Sequence, residues 1–191
     1  MASLELPGFA DPVGGAQACF RGLLDAMARP GTLHEVGELA APPPLDPATA
    51  SVLLTLVDAD TTLWLDEPCA PAREWVLFHC GAPLVADPAG AAFALALAMP
   101  KLAALSAGSD AAPEDGASLI LQVAALRSGL PYRISGPGLK EPALLQVQGL
   151  PEDFAAQWAA NHALFPRGID LVLTAGRLFC CLPRSVQIGM G

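Results

Sequence analysis

Lysine is nearly missing from this chain: only Lys101 and Lys140 occur, beside eight arginines. Schiff-base chemistry needs a desolvated lysine amine and must use one of those two. Lys101 follows Met99-Pro100 and opens a short apolar helix, while Lys140 lies in a Gly- and Pro-rich loop. Neither is placed in a pocket that lowers its pKa, so pyridoxal catalysis is not expected. Also missing are G-x-G-x-x-G, G-x-x-x-x-G-K-[ST], H-E-x-x-H and G-x-S-x-G, the spacings that cradle phosphates, bind zinc or activate serine. No cofactor and no metal are expected, and no residue is assigned as catalytic. The five cysteines (Cys19, Cys69, Cys80, Cys180, Cys181) form no C-x-x-C pair and sit mostly in apolar runs, as reduced, packed thiols do. Ten Lys and Arg against 19 Asp and Glu give a formal charge of -9, which disfavours nucleic acid. Met1–Ala10 lacks the basic start and apolar core of a signal peptide, and the longest apolar run, around Gly90 to Met99, is too short to span a bilayer. A cytoplasmic protein with no membrane contact is expected.

What the chain has in excess is apolar surface. Hydrophobic residues make up 53% before the 18 glycines are counted, which suggests a sheet covered on both faces or a large subunit interface. At 191 residues it fits one domain, 1–191, that can bury a core without staples. Asp11 and Pro12 read as a cap and first-turn proline, and Ala16, Cys19, Phe20, Leu23, Leu24 and Met27 recur at helical spacing until Arg29-Pro30-Gly31. Thr32 to Val36 reads as a strand, Pro42-Pro43-Pro44 as a loop, and Asp46-Pro47 as the start of a helix through Val57. Strands are expected at Thr62–Leu65 and Ala92–Ala98, with a short helix over Arg73–His79 closed near Gly81. Ser118–Leu126 and Pro131–Ser135 read as a hairpin across Arg127-Ser128-Gly129-Leu130, and Pro151–Ala163 as a helix. Interleaved helices and strands with at least two hairpins predict an α/β fold: a mixed β-sheet with helices on both faces.

Phe165 to Thr174 and Arg177 to Arg184, joined through Ala175-Gly176, predict a buried hairpin that Pro166 and Pro183 delimit. Asp170 sits at its mouth, where an ionised carboxylate must meet Arg167, Arg184 or nearby amides. A structural ion pair is the plainest reading of that site. His79 reads as a helix-end histidine bonded to carbonyls, and Cys80 beside it points in a different direction, which disfavours a metal site. Asp58 and Asp60 suit a helix-to-strand turn, and Gly136-Pro137-Gly138 a turn rather than a phosphate loop, since the interior proline removes a donor. Arg21, Arg29 and Arg184 are flanked by ordered apolar elements that could aim them at an anion, although solvated or interface arginines are commoner. Cys180 and Cys181 are strand neighbours facing opposite sides, a geometry unsuited to a disulfide.

Several segments in order resemble one family, the PhnH subunit of the bacterial carbon-phosphorus lyase system. They are Phe20 to Gly31, Ser51 to Asp58 with Asp60-Thr61 and Trp64-Leu65, Phe78-His79, Ala82 to Val85, Leu105 to Gly108, and Ala112 to Ala117. Leu119 to Ala124, Gly136-Pro137-Gly138, Phe165 to Thr174 and Pro183-Arg184 complete the set, and the one departure is a short tail ending at Ile188-Gly189-Met190-Gly191. The resemblance implies a fold similar to pyridoxal-dependent transferases without the cofactor lysine, and a homodimer when the subunit is alone. It also implies work beside the G, I and J subunits, in a system that couples ATP to an alkylphosphonate, releases adenine and forms ribose 1-phosphonate 5-triphosphate. Two functions follow: an accessory subunit that docks onto catalytic partners, or a stand-alone nucleotide- or phosphonate-binding protein with arginine anion clamps. Arg21, His79, Asp170 and Arg184 are the anion or interface candidates.

Overall fold

A computed structural model describes residues 6–191; residues 1–5, half of the segment weighed as a signal peptide, lie outside the described residues. The first helix starts where its chemistry requires. Asp11 accepts the Gly14 amide at 3.0 Å, and Pro12 takes the first turn, where no amide donor is needed, so α1 runs Pro12–Ala28. α2 is Pro47–Leu56, α3 is Arg73–Cys80 and α4 is Phe154–His162. Gly81, at φ 67, closes α3 in a left-handed conformation that glycine adopts without strain.

Six strands form the central sheet in the order β1-β8-β7-β4-β3-β2. β2 (Leu63–Leu65), β3 (Phe93–Ala96), β4 (Ser118–Gln122) and β7 (Asp170–Ala175) pair in parallel. β8 (Leu178–Leu182) turns back against β7, as the sequence predicts, and β1 (His34–Glu35) adds antiparallel at the edge, shorter than the expected Thr32–Val36. Successive side chains alternate between two cores. On one face Leu95, Ile120, Val172, Phe179 and Cys181 pack with Leu23, Leu53 and Trp75 of α1, α2 and α3. On the other, Leu119, Leu121, Leu171, Leu173 and Cys180 meet Phe154 and Trp158 of α4.

That second face is only partly helical. A three-stranded antiparallel sheet shares it, with β5 (Ala125–Ser135) between β6 (Ala143–Gln148) and β9 (Gln187–Met190). Its inward residues Tyr132, Ile134, Leu145 and Val147 are buried against α4 and the central sheet. The hairpin expected between Ser118–Leu126 and Pro131–Ser135 is therefore not formed. Leu119-Ile120-Leu121 is apolar toward both faces and belongs between β3 and β7, in the doubly covered centre. Arg127 to Leu130 is no hairpin turn but an insertion within β5: Leu126 and Leu130 both oppose Val147. The short apolar helix expected at Lys101 is one 3-10 turn, Leu102–Ala104.

Candidate functional site

Asp170 opens β7 and Arg184 lies just past β8, so the hairpin brings them side by side. Arg184 Nε donates to the two Asp170 oxygens at 3.2 and 3.1 Å, Nη2 donates at 2.6 Å, and the Arg184 amide adds a bond of 2.8 Å. Nη1 donates to the Pro113 carbonyl at 2.6 Å. The two side chains are 23% and 13% exposed, so water screens the pair weakly and the charge-assisted bonds are strong. No bulk fits beside them: a Cβ on Gly116 would lie 2.3 Å from the Gly168 carbonyl oxygen and 2.6 Å from Arg184 Nη1. Arg167, the other cation considered for Asp170, pairs instead with the exposed Asp110 at 2.9 Å.

Sequence reasoning missed the residue that ties α4 to this lock. Asn161 is buried; its amide nitrogen donates to the Ile169 carbonyl at 2.9 Å and its oxygen accepts the Ile169 amide at 2.7 Å. Its signal was a polar residue continuing the apolar helical spacing Phe154, Trp158, Asn161. His162, next in sequence, has Nδ1 3.1 Å from the Arg184 carbonyl. The arrangement clamps three segments together and directs three Arg184 nitrogens inward, away from solvent anions.

His79 sits in the last turn of α3, its ring centroid 4.6 Å from that of Trp75. Its Nε2 lies 3.2 Å from the Leu6 carbonyl, which Trp75 Nε1 also reaches at 3.0 Å. A carbonyl only accepts, so this nitrogen carries the proton. The histidine thus holds the segment ahead of α1, bonding a carbonyl as expected, though one outside its own helix. Among the described residues no group of His, Cys, Asp and Glu is assembled to hold a metal. Arg21 lies on the outward side of α1, in no ion pair among the described residues, beside a stripe of exposed Val13, Phe20 and Leu24. No hydrogen bond or ion pair among the described residues joins Arg21, His79 and the Asp170–Arg184 pair.

A cleft of about 320 Å³ runs between the start of α1 and β1. His34 lines it, stacked on Phe179 at 5.4 Å, with Nε2 3.1 Å from Asp25 Oδ2 but off the line of a hydrogen bond. Arg29 binds the same carboxylate, and first this bond, then the His34 contact, holds Asp25 below the usual carboxylate range. Asp25 and His34 lie on different elements, and sequence reasoning did not pair them.

The remaining polar groups are engaged locally. Asp58 accepts the Asp60 amide at 3.0 Å in the expected turn. The loop at Gly136-Pro137-Gly138 turns back on α1, where a Cβ on Gly138 (φ 86) would meet the Ala28 carbonyl oxygen at 2.2 Å. Lys101 is 72% exposed and bonded to Asp153, and Lys140 is exposed in its loop. Cys180 and Cys181 point into opposite cores; burial pushes Cys180 up to about 12 and raises Cys181 as well.

Comparison with known proteins gives concordant matches. The family described as bacterial phosphonate metabolism protein (PhnH) matches residues 7–189. A protein of Rhizobium meliloti (strain 1021), named alpha-D-ribose 1-methylphosphonate 5-triphosphate synthase subunit PhnH, is 42% identical over 186 residues, covering 94% of this chain and 93% of that protein. A protein of Stutzerimonas stutzeri, named putative C-P lyase subunit protein HtxG, is 31% identical over 180 residues, covering 91% of this chain and 86% of its own length.

Proposed function

The chain belongs to the PhnH family of bacterial phosphonate metabolism proteins, and from that membership we propose that it is an accessory subunit of the carbon-phosphorus lyase core complex. There it is needed for the ATP-dependent formation of ribose 1-phosphonate 5-triphosphate from alkylphosphonates. The observation that carries this reading is the near end-to-end similarity to a relative named as a subunit of the ribose 1-methylphosphonate 5-triphosphate synthase. The geometry supports it. The charged pair Asp170–Arg184 is closed on itself, whereas α1 presents Val13, Phe20 and Leu24 to solvent at 67%, 45% and 55% exposure.

The partners in this proposal are the G, I and J subunits and, for the isolated chain, a second copy that meets the α1 stripe. Cytoplasmic residence is part of it too; among the described residues no helix is long and apolar enough to cross a membrane. The likeness to the pyridoxal-dependent transferase fold also remains a proposal, supported by a mixed six-stranded sheet with a parallel centre. Anion binding through Arg184 is disfavoured, because its donors would first have to leave Asp170 and Pro113. Coexpression with the G, I and J subunits, one of them tagged, tests the reading. The chain is expected to co-purify in fixed stoichiometry; persistent recovery of the other three without it contradicts the proposal.

A further inference from the structure

Charge is unevenly distributed along this acidic chain. The 35 residues from Ala117 to Pro151 carry Arg127, Arg133 and Lys140 against the single acid Glu141, so the rest of the molecule has a net charge of -11. These cations all belong to the three-stranded sheet or its connections. Arg127 and Arg133 are exposed, and neither enters an ion pair among the described residues. A strand arginine is commonly matched by an acid on the neighbouring strand. Opposite Arg133 stand instead Leu144, 69% exposed, and Gly189, which has open space where a side chain would be.

Two further features mark the same sheet. The insertion Arg127–Gly129 is held in a defined shape: Arg127 adopts φ 74, rare for a residue with a side chain, and Gly129, at φ 94, packs so tightly that a Cβ would meet the Val147 carbonyl oxygen at 2.5 Å. Arg127 within it and Leu130 just after it are both exposed, the latter at 51%. Beside it β6, Ala-Leu-Leu-Gln-Val-Gln, is an outer strand without the charge or proline that ordinarily protects a sheet edge.

From this juxtaposition we propose that the three-stranded sheet is a docking face for an acidic surface of another polypeptide in the complex, with Arg127 and Arg133 as its anchors and Leu144 as its apolar contact. The inference rests on the subunit reading above and assigns that reading its contact face. Arginine beside exposed leucine is the composition of interface anchors, and the unmatched guanidinium groups call for carboxylates on the partner. A second copy docking sheet to sheet about a two-fold axis would set one basic face against another. The acidic remainder of the chain repels an acidic partner everywhere else, so the same charges that bind also orient the encounter.

The test is co-purification with the tagged G, I and J subunits, comparing the wild type, R127E/R133E and R73E, the last reversing an exposed arginine on α3. R127E/R133E should lower recovery by about tenfold or more, R73E should leave it unchanged, and wild-type recovery should fall between about 50 and 500 mM salt. Equal recovery of the wild type and the double variant overturns the docking face while leaving the subunit reading intact. Failure of the wild type to associate removes the subunit reading itself. A shift in the oligomeric state of isolated R127E/R133E overturns the proposal by assigning the sheet to self-contact. Should that variant unfold by circular dichroism, R127Q/R133Q and the salt series decide on the same terms.

Discussion

Arg184 gives Asp170 four hydrogen bonds, one of them from its backbone amide, so replacing the side chain by alanine leaves a part-buried carboxylate with the amide alone. R184A is expected to destabilise the fold by about 2–4 kcal/mol, toward the lower end because the pair retains some solvent contact. R184K should recover only part of this, since an ammonium lacks the planar fork that reaches both Asp170 and Pro113. Urea midpoints read the difference, and loss of ATP or phosphonate heat without loss of stability would instead point to a binding role. The cysteines give a pH prediction. Burial raises the Cys180 thiol from 9.0 to about 12, and Cys80 likewise to about 12. The unfolded chain releases these protons near pH 9 while the folded chain keeps them, so the stability they contribute is complete below that pH and is lost as pH rises toward about 12. Denaturant midpoints should fall across that window, and native thiols should resist a disulfide reagent at pH 8 until the chain unfolds; rapid native modification of Cys180 or Cys181 would contradict this.

At the scale of elements, the insertion in β5 depends on one glycine. G129A forces a Cβ against the Val147 carbonyl at positive φ and is expected to cost about 2 kcal/mol or more, read as a lowered thermal midpoint. The outward stripe of α1 makes the opposite prediction: L24E should leave the stability of the monomer within about 0.5 kcal/mol of wild type and abolish the proposed self-association, read by sedimentation analysis of the isolated chain. These two elements also show what the sequence made legible. α1, α2 and the β7–β8 hairpin were readable because their caps, prolines and turn lie within a few residues of what they terminate. β5 was not, because Arg-Ser-Gly-Leu has the composition of a hairpin turn, and only the distant Val147 decides that it is an insertion. Asp170 announced its need for a cation in the sequence, but Arg167 and Arg184 both flank the open end of the hairpin, and only the cross-strand register that sets Arg184 beside Asp170, with Asp110 taking Arg167, decides between them. Asp25 and His34 meet because the chain reverses at Arg29-Pro30-Gly31; the turn was legible, but the pairing of the two side chains depends on how β1 settles beside α1.

Across the whole molecule, the described residues form two cores on either side of one mixed sheet, with the acidic charge concentrated outside the small sheet. The ordered polar clusters lock segments of the chain to one another, while α1 and the small sheet leave apolar side chains uncovered. The proposed accessory role predicts that the chain's contribution to the reaction appears only in the company of the other subunits. The decisive measurement is product formation from ATP and methylphosphonate by purified G, I and J subunits, by this chain alone, and by all four together. Ribose 1-methylphosphonate 5-triphosphate should form only in the four-component mixture. Repeated turnover by the isolated chain, or full activity of the other three without it, would contradict the account.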